Sequence, residues 1–151
     1  MNLKTHWVAR LAIATAWLCV LFAEPIQEKF TGHLSLTPLD PAMRNTITGQ
    51  GSVTAVLTGL KLSISGSFEG LASPATVARL HRGRITGLRG APVFDLNVTH
   101  ATSGTVDGSF DLNPSQIESL RKGEFYVQLH SEKAQDGNLW GWLLRQGGSV
   151  K

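Results

Sequence analysis

Polar and apolar residues alternate along most of the chain. Leu60, Leu62, Ile64, Gly66 and Phe68 alternate with Lys61, Ser63, Ser65 and Ser67, and a period of two puts every second side chain on one face of a strand. Val53, Ala55 and Leu57 do the same against Thr54, Val56 and Thr58, with Gly59 marking the turn between the two strands. Pro92 to Val98 and Gly104 to Phe110 predict two more strands. Gly123 to Ser131 and Asp136 to Leu143 predict a final pair, joined by a Gly-containing turn, with His130 ending the first and Gly141 inside the second. One helix is expected near 114–122. Asn113 caps it, Pro114 takes the first position, Gln116 completes a capping box, and Arg121, Lys122 and Gly123 end it. Short strands punctuated by Gly and Ser/Thr turns predict an all-β fold: a single-domain antiparallel β-sandwich, immunoglobulin-like or Greek-key. The expected domain covers residues 30–146, between disordered ends at 24–29 and 147–151. Pro38-Leu39-Asp40-Pro41 is expected to be a rigid loop.

The N-terminus breaks this pattern. Lys4 and Arg10 precede an uncharged, mostly apolar run from Leu11 to Ala23. That run is shorter than the ~20 residues a membrane-spanning helix needs and fits the apolar region of a secretory signal. Residues 1–23 are therefore expected to be a signal peptide, and the mature protein to be secreted or periplasmic with no membrane span. An uncleaved anchor is the rival reading. Removing these residues leaves 12 basic against 11 acidic side chains, +1 in place of +3. So small an excess argues against a nucleic-acid partner. Cys19, the single cysteine, leaves as well. The domain is then expected to have no disulfide and to rely on its core.

Three constellations carry candidate chemistry. Arg79 and His81 share one strand face, as do Gln128 and His130. Two imidazoles on one face are half of a metal site, so His81 and His130, with His33 or His100 as a third ligand, are a candidate copper or zinc site. Arg79 stands where a second imidazole would be useful, and its fixed charge opposes a cation. The second constellation is Arg79, Arg82, Arg84 and Arg89, with Gly83, Gly87 and Gly90 among them. It suits an anionic group such as a carboxylate, a phosphate or an acidic polysaccharide, with Arg82 and Arg84 on one face of an extended strand. The third is Trp140 and Trp142, which share a face and suit either core packing or stacking on a sugar or a partner. No serine lies in a Gly-x-Ser-x-Gly elbow. Asp95, Asp107 and Asp111 leave a carboxylate-based hydrolase as an alternative. Asn97-Val98-Thr99 is a glycosylation sequon.

Several of these segments, taken in order, form a pattern. They are Gly70-Leu71; Arg79-Leu80-His81-Arg82-Gly83; Ala91-Pro92-Val93-Phe94-Asp95-Leu96; the helix 114–122; Gly123-Glu124-Phe125-Tyr126-Val127-Gln128-Leu129-His130; and Gly137-Asn138-Leu139-Trp140-Gly141. The chain resembles the CHRD domain, named after chordin and found in bacterial secreted proteins. It departs from that family at Arg79, in place of the first His of a His-x-His segment, at Arg82 before Gly83, and at Trp140, in place of an Arg. The resemblance implies a compact extracytoplasmic β-domain, and it favours a binding or structural role over an enzymatic one. The expected function is a secreted, non-enzymatic binding module without a cofactor. Its partner would be a protein or an anionic or polysaccharide ligand, contacted through Arg79, His81, Arg82, Arg84, His130, Trp140 and Trp142.

Overall fold

The computed structural model describes residues 25–38 and 40–147. The expected signal peptide, Leu39 and the last four residues lie outside them. Among the described residues nine antiparallel strands and one α-helix follow one another, with a single 3-10 turn at Pro41–Met43 between the first two strands: β1 Gln27–Leu36, β2 Gln50–Thr58, β3 Lys61–Glu69, β4 Ala75–Arg82, β5 Ala91–Val98, β6 Gly104–Asp111, α1 Pro114–Arg121, β7 Phe125–Ser131, β8 Ala134–Trp142 and β9 Leu144–Arg145.

The strands run β1-β2-β3-β6-β5-β4-β7-β8 and return to β1, closing an eight-stranded barrel. This corrects the expected immunoglobulin-like sandwich. Two strands belong to both halves. β1 pairs with β2 over residues 27–34, and its Ser35 and Leu36 pair with Trp140 and Leu139 of β8. β5 pairs with β4 at one end, and its Asn97 and Val98 pair with Asp107 and Val106 of β6. Alternation along a strand is the same in a sandwich and a barrel. What differs is the seam, and closing it removes the unpaired edges. β9 continues β8 past a break at Leu143, since Leu144 and Arg145 face Thr31 and Phe30 in the register of the β1–β8 pair.

The inward face follows the alternation. Phe30, Leu34, Val53, Ala55, Leu57, Leu62, Ile64, Phe68, Leu80, Val106, Phe125, Val127, Leu129 and Leu139 form one buried cluster. Helix α1 adds Ile117 and Leu120 to it and carries the expected capping box between Asn113 and Gln116. Leu60, expected to begin the β3 pattern, instead sits exposed in the turn. The β7–β8 turn is Glu132-Lys133, between the paired Ser131 and Ala134. It lies ahead of the expected Gly137 turn.

Residues 27–29 are strand and not a disordered end. Their ladder to β2 is backed by a clasp on Glu28, whose side chain is 11% exposed and contacts both Arg121 and Arg145. The clasp ties β1, α1 and β9 together. The Arg121 hydrogen bonds and the charges of both arginines hold the Glu28 carboxyl below the usual carboxylate range, against an opposing effect of burial. Its stabilisation is present above the ordinary glutamate pKa and is lost as pH falls through the depressed folded value. Glu28→Gln is therefore expected to lower the melting temperature by a few degrees at pH 7. The difference should close in acid, as followed by thermal melts between pH 2 and pH 7. A constant difference across that range would rule out the ion clasp as its cause.

Candidate functional site

β7 is buried on both faces. Phe125, Val127 and Leu129 enter the core, while Tyr126, Gln128 and His130 point outward. The outward residues form rows across three strands. His81, Tyr126 and Trp142 are one row, and Arg79, Gln128 and Trp140 are the next. The Tyr126 ring stacks on His81 with centroids 4.9 Å apart. It lies 4.5 Å from Trp142 and meets Trp140 edge-on at 5.8 Å. The Arg89 guanidinium lies 5.5 Å over the Trp140 ring, a cation–π distance. The tryptophans thus share a face as expected. That face is an aromatic shelf outside the barrel, where both remain half-buried and apart from the main core.

Two irregular segments frame the shelf. The first is the loop 83–90, which folds back on its own base. A Cβ on Gly90 would collide with the Arg82 carbonyl, and one on Gly83 would meet the Leu88 carbonyl and the Trp142 ring. Only glycine allows this approach. The base is held by Tyr126 and His81. The Tyr126 hydroxyl accepts from the Gly90 N–H at 3.1 Å, and His81 Nδ1 donates to the Gly90 carbonyl at 3.0 Å.

The second segment is a bulge in β8, where Gly137 has φ +129° and residues 135–138 face a single residue of β7. A bulge strips ladder partners from its carbonyls. Three side chains replace them in sequence: His130 Nδ1 donates to Gln135 O at 2.7 Å, Gln128 Nε2 to Asp136 O at 3.0 Å, and Thr37 Oγ1 to Gly137 O at 2.9 Å. Asn138, fully buried, donates to Thr48 O and accepts from Ser131. Beside the bulge opens a cleft of about 450 Å³, lined by Met43, Thr46, Ile47, Lys133, Asp136 and the same Arg89 that covers Trp140.

The four arginines do not act as one cluster. Arg79 pairs with Asp95 at 2.9 Å, and Arg82 lies 3.9 Å from Glu124. β4 ends at Arg82, so Arg84 does not share a strand face with it. Arg84 is exposed in the loop, with no carboxylate within 4 Å among the described residues.

His81 and His130 do lie on neighbouring strands, but His81 faces Tyr126 and His130 faces Val77. Four ladder positions separate them, about 14 Å along the strand. Each Nδ1–H is taken by a carbonyl, and each Nε2 is buried without a partner, as is Trp142 Nε1. Burial holds the His81 imidazole below its ordinary pKa. The charges of His130, Arg79 and Arg89 act the same way, and the Gly90 bond opposes them. His33 lies on β1, and His100 lies between β5 and β6. Among the described residues no group of three His, Cys, Asp or Glu side chains is placed to hold an ion. The three aspartates are also separately engaged: Asp95 with Arg79, Asp107 with Asn97 at 2.9 Å, and Asp111 opposite Lys61.

The CHRD domain family matches residues 32–143, the stretch that contains the shelf, the loop and the bulge. The chain belongs to the CHRD domain family. Searches of curated proteins and of solved structures returned no match. The CHRD segments noted in the sequence now have physical roles. Tyr126 and His81 tie down the loop, while Gln128 and His130 cap the bulge. Gly141 lets β8 approach β1. Sequence reasoning selected His81 and His130 for their possible chemistry, whereas their Nδ1 atoms serve the backbone. It passed over Tyr126 and the cleft residues Met43, Ile47 and Lys133. The available signal for Tyr126 was the unbroken run Phe125 to Leu129, since a strand covered on both faces loses its alternation.

Proposed function

We propose that this CHRD domain is an extracytoplasmic, non-enzymatic binding module, and that the shelf of Trp140 and Trp142 with Arg89 is its ligand face. One observation carries the reading. The barrel core is complete without either tryptophan, yet both are packed around Tyr126 on the outside, and Trp140 lies under the Arg89 guanidinium, which has no carboxylate within 4 Å among the described residues. Aromatic faces stack on the C–H faces of sugar rings, and a guanidinium binds a carboxylate through paired hydrogen bonds. The pair suits an acidic polysaccharide. The adjoining cleft, with Lys133 and Arg89 on its wall, lets such a chain continue past the shelf. Release across the cytoplasmic membrane by residues 1–23 is the matching expectation for localisation.

Intrinsic fluorescence tests the reading. Titration with polygalacturonate oligomers is expected to shift tryptophan emission saturably, while neutral dextran leaves it unchanged. Trp140→Ala and Arg89→Ala are each expected to weaken binding about tenfold. The reading fails if polygalacturonate and dextran behave alike, or if both variants bind as the parent does.

A further inference from the structure

The loop 83–90 carries a feature that the shelf does not use. Its sequence is Gly-Arg-Ile-Thr-Gly-Leu-Arg-Gly, nearly symmetric about its centre. The Leu88 N–H donates to the Ile85 carbonyl at 3.1 Å, and Gly87 has φ +90°, which makes residues 85–88 a type II turn. Such a turn brings its first and fourth residues together. The carbonyls of Ile85 and Leu88 turn inward over Gly83. Their side chains face solvent, 64% and 50% exposed. Arg84 flanks them, exposed and without a carboxylate partner among the described residues, and Arg82 stands behind it. The loop is also braced from below. The Gly83 N–H donates to Glu124 O at 2.8 Å, and Thr86 Oγ1 to Gly123 O at 2.8 Å. Two aliphatic side chains are thus held in solvent at the tip of a fixed turn.

We infer that this turn docks the domain on an anionic lipid surface, with Ile85 and Leu88 entering the acyl boundary and Arg84 and Arg82 reaching lipid phosphates. Burying an aliphatic pair between basic flanks is the chemistry of interfacial binding. Arginine stems lie along apolar surface while their heads stay with the phosphates. Charge complementarity selects this occupant: among the described residues, Glu124, 3.9 Å from Arg82, is the one carboxylate within 4 Å of Arg82, Arg84 or Arg89. A protein partner would need roughly 20–30 residues on each side, far more than two aliphatics on a narrow turn provide.

Vesicle co-sedimentation tests this on exported protein, comparing phosphatidylglycerol–phosphatidylethanolamine vesicles with phosphatidylcholine alone. Binding is expected only to the anionic vesicles and is expected to weaken as salt rises. The double variant Ile85→Ser/Leu88→Ser and the single variant Arg84→Glu should each weaken it about tenfold. Melting temperatures should be unchanged, because all three side chains are exposed. Trp140→Ala should bind vesicles like the parent, which separates this site from the polysaccharide face. Equal binding to both lipids, or binding unaffected by either loop variant, would place the contact elsewhere, for instance in a retained apolar N-terminus. Absence of vesicle binding, or capture of a protein through the loop without it, would likewise overturn the inference.

Discussion

Gly141→Val is expected to cost about 2–4 kcal/mol and to lower the melting temperature by about 10 °C. Gly141 lies on the inward face of β8, opposite Leu34, at the seam that closes the barrel. A Cβ there would lie 2.8 Å from the His33 carbonyl oxygen and 3.0 Å from both the His33 carbonyl carbon and a Leu34 methyl. The approach is mutual. A Cβ on Gly32 would lie 2.9 Å from the Trp142 carbonyl oxygen and 3.3 Å from the Gly141 carbonyl carbon. Two strands therefore meet backbone to backbone, and no rotamer change relieves the collision. Gly141→Ala should cost less than Val but still destabilise, since the first carbon already touches main chain. Thermal and denaturant melts of the series Gly, Ala, Val check this. A valine variant melting with the parent would mean that β1 can move away from β8 without loss.

That seam explains how much of the molecule was legible in the sequence. The alternation in 53–57 and 62–68 placed β2 and β3 and their inward faces correctly. The caps at Asn113 and Gly123 placed α1 to within a residue. These signals are local. Closure was not legible, because β1 and β5 each divide their hydrogen bonds between two neighbours and side-chain periodicity is blind to which strand lies alongside. Gln27 to Lys29 looked like a polar end for a related reason. Glu28 is polar, but its partners Arg121 and Arg145 are more than 90 residues away.

The candidate site divides in the same way. Spacing alone puts Trp140 and Trp142 on one face, and the rows across β4, β7 and β8 place them there. The arginines are close only in sequence, and the end of β4 at Arg82 disperses them. The roles of His81 and His130 depend on Gly90 and on a bulge at Gly137. A histidine capping a carbonyl and a histidine awaiting a metal have the same sequence. Their geometry differs, in which nitrogen is already taken.

Tyr126→Ala is the second large effect, expected to cost about 3–5 kcal/mol. Tyr126 is 1% exposed, so its removal opens a cavity between His81, Trp140 and Trp142 that those rings, fixed on three strands, cannot close. The hydroxyl adds a separate contribution, because it both accepts from and donates to Gly90. Tyr126→Phe keeps the stacking and leaves the Gly90 N–H unpaired, so about 1–3 kcal/mol is expected. The pair of variants separates packing from tethering. Hydrogen exchange at Gly90 should accelerate in both. Tryptophan emission should shift to the red in Ala alone, because only there do Trp140 and Trp142 lose their contact with the Tyr126 ring. Burial disfavours the charged His81 imidazole in the packed parent, so parental stability should also fall as pH drops below about 6.5, where the unfolded chain binds a proton more readily than the native imidazole does. With the Tyr126 ring gone, His81 becomes accessible to water and that part of the pH dependence should flatten. If Phe proves as damaging as Ala, the hydroxyl tether and not the ring holds the shelf. If neither variant changes exchange at Gly90, the loop rests on Gly83–Glu124 and Thr86–Gly123 alone, and the tyrosine serves only to pack the two tryptophans of the shelf.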